Sequence, residues 1–180
     1  MRKNIWKISY KMTDEYLNQA IALDNSVYQS VDVGDFKKCK EWLSVNDEIY
    51  TILTYNDIVV GYINFMPITD ICYTKILSGC FKDCNITRHD ILPFSNEYEN
   101  NCLMTSIVVH KDFRNSLAGK RLWDGFINKI IKLKNKNINI ANVVMDCVTD
   151  IGEKCAINYL NAKFVYNSST GKIYKGKLVV

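Results

Sequence analysis

The chain has 180 residues, 48% of them apolar, and a formal charge of +4 at neutral pH. That suits one domain with a sizeable core. Lysines scattered rather than gathered in a tract argue against a dedicated nucleic-acid binder, and no segment reaches the ~20 apolar residues that span a bilayer. The amino terminus, MRKNIWKISYKM, has no long apolar run, so no signal peptide is expected and the protein is expected to be cytoplasmic. Seven cysteines, several inside apolar runs, read as reduced thiols serving as small core residues. Cys80, Cys84 and His89 lie close together but lack a paired C-x-x-C and a clear fourth ligand, so no metal is expected.

Residues 5–12 alternate apolar and polar and read as a strand. Thr13 then caps a helix with Asp14 and Glu15 in its first turn and Tyr16, Leu17, Ala20, Ile21 and Leu23 on its apolar face. A polar loop over 27–34 leads to a short helix over 35–43, with Phe36, Cys39, Trp42 and Leu43 inward. Strands over 49–55 and 58–66 are joined by Asn56-Asp57, a pair that tolerates positive φ and suits a tight hairpin. Gly61 marks a bulge or a close backbone approach. Thr69 caps a short helix over 69–77 that Gly79 stops. The stretch 80–101 has little periodicity, and connections this long are often functional. We read 68–101 as an insertion that shapes substrate choice; a merely decorative insertion stays open.

Residues 103–109, apolar and β-branched, predict a buried strand. A helix over 119–133 follows, with Leu122, Trp123, Phe126, Ile127, Ile130 and Ile131 on one face and Lys120, Asp124, Asn128, Lys129 and Lys132 on the other. Between them, 111–118 is a polar, basic loop. A strand, a polar loop and a helix start form an anion site, because the first helical turn offers unpaired N–H groups and the positive end of the dipole. Arg114, Lys120 and Arg121 add charge there. A plain strand–loop–helix with a solvated loop stays open. Next come a strand over 140–149, parallel to 103–109 across the helix crossover, a helix over 150–161, and a hairpin of 163–167 with 173–179.

The run Val109 to Gly119, VHKDFRNSLAG, resembles the acyl-CoA-binding signature V-x-P-x-[aromatic]-R-x-x-G-x-G/A of the GNAT superfamily of N-acetyltransferases. Phe113, Arg114, Ala118 and Gly119 fit; Lys111 stands where proline is usual and Leu117 where the first glycine is usual. The run Asn158 to Phe164 resembles the family's L-Y-x-x-x-G-F segment, with Lys163 in place of glycine. The element order also matches over nearly the whole chain.

The resemblance implies a single α/β (α+β) domain over 1–180. Its mixed sheet has about seven strands flanked by helices, splayed between the fourth and fifth, with the insertion before the fourth. It implies acetyl-CoA as co-substrate and no metal. Ile107, Val108 and Val109 would line the pantetheine arm. Arg114, Asn115, Ser116, Leu117, Ala118, Gly119 and Lys120 would hold the pyrophosphate. Tyr159 would protonate the departing thiolate. The base is open among His89, Asp90, Glu97, Glu99, His110 and Asp146; Glu99, just before the central strand, is taken forward. Tyr28, Asp32 and Asp35 are amine-facing groups in the family pattern.

The expected reaction is direct transfer of an acetyl group to a small-molecule or peptide amine. Neither nucleic acid nor membrane is an expected partner, and a homodimer stays open. The rival readings are an idle GNAT-like module that binds acyl-CoA or a protein and, a distant third, a nucleic-acid-binding domain.

Overall fold

The computed structural model describes residues 5–27, 35–79, 81 and 85–178. β1 (Trp6–Ser9) leads to α1 (Asp14–Asn25) and α2 (Phe36–Val45), capped by the side chains of Thr13 and Asp35, which accept from the main-chain N–H of Tyr16 and Lys38. β2 (Tyr50–Tyr55) and β3 (Ile58–Pro67) form a hairpin. Asn56 and Asp57 take φ of 51° and 64°, the double left-handed turn that matches strand twist. Thr69 caps α3 (Asp70–Leu77), and Gly79 follows at φ 75°.

β4 (Asn100–Val109), α4 (Ala118–Asn135), β5 (Ile140–Cys147), α5 (Asp150–Leu160), β6 (Lys163–Asn167) and β7 (Lys172–Gly176) complete the chain. The seven strands lie in the order β1-β2-β3-β4-β5-β7-β6, and every pair is antiparallel except β4 with β5. The α4 crossover makes that parallel pair.

One face of the sheet packs on α1, α2 and α3, through Leu17, Cys39, Trp42, Cys72 and Ile76. The other packs on α4 and α5, through Leu122, Phe126, Ala156 and Leu160. The insertion joins the first core: Ile68, Ile86 and Ile91 are buried, and Tyr166 of β6 hydrogen-bonds the Ile76 carbonyl of α3. Gly61 sits where β3 meets β4; a Cβ there would lie 2.8 Å from the Val108 carbonyl oxygen. That approach is why the position needs glycine.

Three side chains depart from the sequence pattern. Lys129, expected on the solvated face of α4, is 5% exposed. Ile131 and Phe36, expected inward, are exposed. Each lies at the edge of its helix's apolar arc, where the neighbouring elements decide which side is covered. Gly125 is buried on α4, and a Cβ there would come within 2.7 Å of Ile8, so glycine lets β1 and α4 touch. No helix among the described residues is long and apolar enough to cross a membrane.

Candidate functional site

β4 and β5 stay paired only from Asn100↔Ile140 to Leu103↔Val144, then part while β4 runs on to Val109. A bulge accompanies the parting. Phe65 faces Met104 and Asn64 faces Ser106, so Thr105 is the extra residue, its hydroxyl donating to Asn64 Oδ1 at 2.7 Å. A bulge bends its strand and raises its twist, which turns β4 away from β5. Thr105, Ser106 and Ile107 are consequently half-buried, although β4 is the middle strand of seven.

The polarity of the opened edge follows from the ladder. His110 N–H donates to the Val60 carbonyl at 2.8 Å. Bonding alternates along an antiparallel pair, so Val108 and Ser106 also turn their main chain to β3. Ile107 and Val109 turn theirs to the gap. Val108 is thus not free to line an arm bound there: its main chain belongs to β3 and its side chain is buried.

The basic loop begins where β4 ends. Residues Lys111–Phe113 form a single 3-10 turn, and Phe113 packs edge-on against Trp6 at 5.7 Å. Arg114 Nε donates to the Val109 carbonyl at 3.1 Å, leaving its terminal nitrogens as donors. Ser116 Oγ donates to the Phe113 carbonyl and accepts from Ala118 N–H at 3.1 Å.

Leu117 takes φ −73°, so the residue in the usual glycine position needs no left-handed backbone. It is 62% exposed, and its carbonyl accepts the first α4 bond, from Arg121 N–H. The N–H groups of Leu117, Gly119 and Lys120 meet no acceptor among the described residues. Asn115, Ser116, Gly119 and Lys120 are exposed, and Ala118 is buried. A Cβ on Gly119 would meet nothing within 4 Å, so space lies open over the helix start. Lys120 pairs with Asp124 at 2.7 Å, and Arg121 lies 5.4 Å over the Trp6 ring. The helix end thus combines unpaired amides, several cations and room for an anion.

Tyr159 stands near the end of α5. It is 46% exposed, and its ring lies 4.4 Å from that of Trp123 on α4, tilted by 32°. The contact bridges the two helices that cover the second face.

On the first face, beside β4, a buried phenol of β3 meets a carboxylate of α1. Tyr62 of β3, 3% exposed, donates to Asp24 Oδ1 in the last turn of α1. In the β3–β4 register Tyr62 faces Val108 and Asn64 faces Ser106, so Ser106 is the diagonal neighbour of Tyr62 on the same face. Burial raises the Asp24 carboxyl to about 6, against which the Tyr62 bond works, and pushes the Tyr62 phenol well up. Across the gap, the Asp146 carboxylate of β5 accepts from Ser168 Oγ at 2.8 Å and Thr170 Oγ1 at 2.8 Å. Those bonds hold the β6–β7 turn against the end of β5.

The other expected groups are dispersed. Glu99 lies one residue before β4, at the closed end where Asn100 pairs with Ile140. At ~3.3 Å per residue that is about 30 Å from Val109, so the fold does not bring Glu99 to the loop. Glu97 is nearby. Asp90 is occupied in capping, accepting from Thr87 N–H at 2.9 Å, and His89 belongs to the same turn. His110 Nδ1 accepts from Asp112 N–H in the basic loop. Tyr28, Asp32, Cys80 and Cys84 lie outside the described residues, and Asp35 is the α2 cap.

Sequence reading missed Asp24 and Tyr62. Two signals could have found them. An acid in the last turn of a helix opposes the dipole, and a tyrosine interrupts the apolar run of β3.

No protein-family model matches the chain, and no curated protein matches it in sequence. Solved structures match it in fold. Ard1 from Thermoplasma volcanium superposes with a TM-score of 0.60 at 13% identity, over 97% of this chain and 98% of that one. Arabidopsis thaliana Naa50, solved with the bisubstrate analogue CoA-Ac-MVNAL, gives 0.57 at 12%, over 94% and 95%. PaiA N-acetyltransferase from Thermoplasma acidophilum, solved with coenzyme A, gives 0.56 at 12%, over 96% and 99%. The chain therefore has the fold of the GNAT acetyltransferases, a mixed seven-stranded sheet parted beside a helix start.

Proposed function

We propose that the chain is an N-acetyltransferase that moves an acetyl group from acetyl-CoA to a primary amine by direct attack in a ternary complex. The parted edge of β4 carries this reading. It presents the main-chain groups of Ile107 and the N–H of Val109 beside the open amides of the α4 start. The residues fit the co-substrate: an extended amide-bearing arm can add to the open edge as a strand would, and a diphosphate suits the loop.

In this reading Ile107 and the Val109 N–H hold the arm, since the Val109 carbonyl is taken by Arg114. The pyrophosphate rests on N–H groups between Asn115 and Lys120, with Arg114 supplying charge-assisted bonds. An N–H of the same edge steadies charge developing on the acyl oxygen. Tyr159 gives a proton to the leaving thiolate. The acceptor enters from the first face, between α1 and the β6–β7 turn, with α3 of the 68–101 insertion nearby; one domain over 1–180 carries the whole site. The bisubstrate analogue and the coenzyme A with which the neighbouring structures were solved support the class of ligand.

Calorimetry with acetyl-CoA tests the co-substrate. Binding is expected, and none at high micromolar concentration overturns the proposal. Thiol release from acetyl-CoA across a panel of small amines and peptide N-termini tests transfer; binding without release with any amine leaves an idle acyl-CoA-binding module.

A further inference from the structure

We propose that Ser106, Tyr62 and Asp24 form a proton path that carries away the proton released by the acceptor amine. The inference rests on the acetyltransferase reading and assigns the acceptor side of that site. Three observations converge on it.

Ser106 is half-buried on β4, next to the unpaired Thr105, where the strands part. It is the hydroxyl an incoming amine meets on the first face. Tyr62, the diagonal neighbour of Ser106 on the same face, is sealed in the core and donates to Asp24, so its phenol exchanges protons only with groups packed against it. Asp24 is half-buried at the end of α1 and joins no salt bridge among the described residues.

The titratable groups facing this carboxylate are Tyr62 of β3, Tyr50 of β2 and Cys39 of α2. Among the described residues none of these groups supplies positive charge. An acid so placed lowers stability when ionised, and it opposes the helix dipole. An asparagine would accept the Tyr62 bond without that cost. A carboxylate kept against the local physics is a candidate for proton chemistry. Its rivals are occupied or remote: Asp146 is bound by two hydroxyls, and Glu99 lies at the closed end.

The step balances. The amine nitrogen bonds to the acyl carbon and the carbon–sulfur bond breaks, its electron pair leaving on sulfur, which takes a proton from Tyr159. One proton passes from nitrogen to Ser106 Oγ. The Ser106 proton passes to the Tyr62 oxygen and the Tyr62 proton to Asp24. Asp24 releases it to water, and Tyr159 regains one from water.

The test is the pH profile of kcat/KM for thiol release, in the full chain with acetyl-CoA and the best amine of the panel. The wild type is expected to lose activity as pH falls through about 6. Asp24→Asn should lower kcat/KM at neutral pH at least about tenfold and remove that limb. Tyr62→Phe should do the same. Both variants should bind acetyl-CoA with wild-type affinity, which reports an intact fold and cofactor site. An Asp24→Asn enzyme with wild-type rate and profile overturns the path and leaves the acetyltransferase reading standing. A wild type that neither binds acetyl-CoA nor releases thiol overturns both.

Discussion

The ammonium of Lys129 lies beneath α4, 3.5 Å from the Tyr50 carbonyl oxygen and 5.5 Å from the centre of the Phe94 ring. Burial lowers it to about 8 from an ordinary value of 10.5, with Glu48, Cys102 and Asp47 pulling the other way. Its folded value lies below its unfolded one, so the charged form disfavours folding at neutral pH. That penalty is full below pH 8 and fades as pH rises towards 10.5. At ~1.4 kcal/mol per pH unit it is about 3 kcal/mol at most.

Lys129→Met should therefore raise stability by roughly 1–3 kcal/mol at pH 7, several degrees in Tm, with the gain over wild type shrinking between pH 8 and 10. Urea unfolding at stepped pH measures both. Tyr159, in contrast, is surface-facing with its ring tilted against Trp123, so Tyr159→Phe keeps the packing and removes only the hydroxyl. Its kcat should fall about tenfold or more with acetyl-CoA affinity unchanged; unchanged turnover in the thiol-release assay removes its acid role.

At the scale of the element, β4 divides its main chain between two neighbours, β3 and the gap. A proline substitution reads that division directly, because it deletes one N–H. Ile107→Pro deletes an N–H that β3 does not use and should leave the circular dichroism spectrum near native. It should weaken acetyl-CoA binding at least about tenfold. Val108→Pro deletes a bond inside the sheet and should unfold the chain or cost ~3 kcal/mol or more. Equal effects of the two would mean that the edge is not open as described. The loop after β4 makes a related point: Leu117 replaces a usual glycine without strain because its φ is −73°. Binding there is left to N–H groups that any residue supplies.

For the whole molecule, the proposed function divides the work between the two faces: the second, under α4 and α5, would serve the leaving group, and the first, under α1 and α3, would serve the acceptor. A ligand that bonds both parted strands should tighten the sheet as a unit. Acetyl-CoA at a hundred times its Kd should add about 2.7 kcal/mol to stability. That is about 5–10 °C in Tm for a domain this size by differential scanning fluorimetry; no shift in Tm argues against binding in the gap.

Local physics made much of this legible in the chain alone. The Asn56-Asp57 hairpin, the Thr13 and Thr69 caps, the buried strand before α4 and the basic loop each depend on residues within a few positions of one another. The loop that would hold a diphosphate was readable for the same reason, since its donors are consecutive amides. The acceptor side was not. Asp24 meets Tyr62 across 38 positions, and Asp146 meets Ser168 across 22, distances that no periodicity or spacing encodes. Glu99 looked near the centre in sequence, yet a strand carries its two ends far apart. Lys129 sat on the polar side of its helix by pattern, and Tyr50 and Phe94 enclosed it. The amino-acid order by itself determined the elements and their sequence, because propensity, capping and turn chemistry act locally. Only the tertiary structure decided which side chains meet across the sheet, Asp24 with Tyr62 and Asp146 with Ser168, because that depends on where the bulge at Thr105 turns β4 and on which helix covers each face.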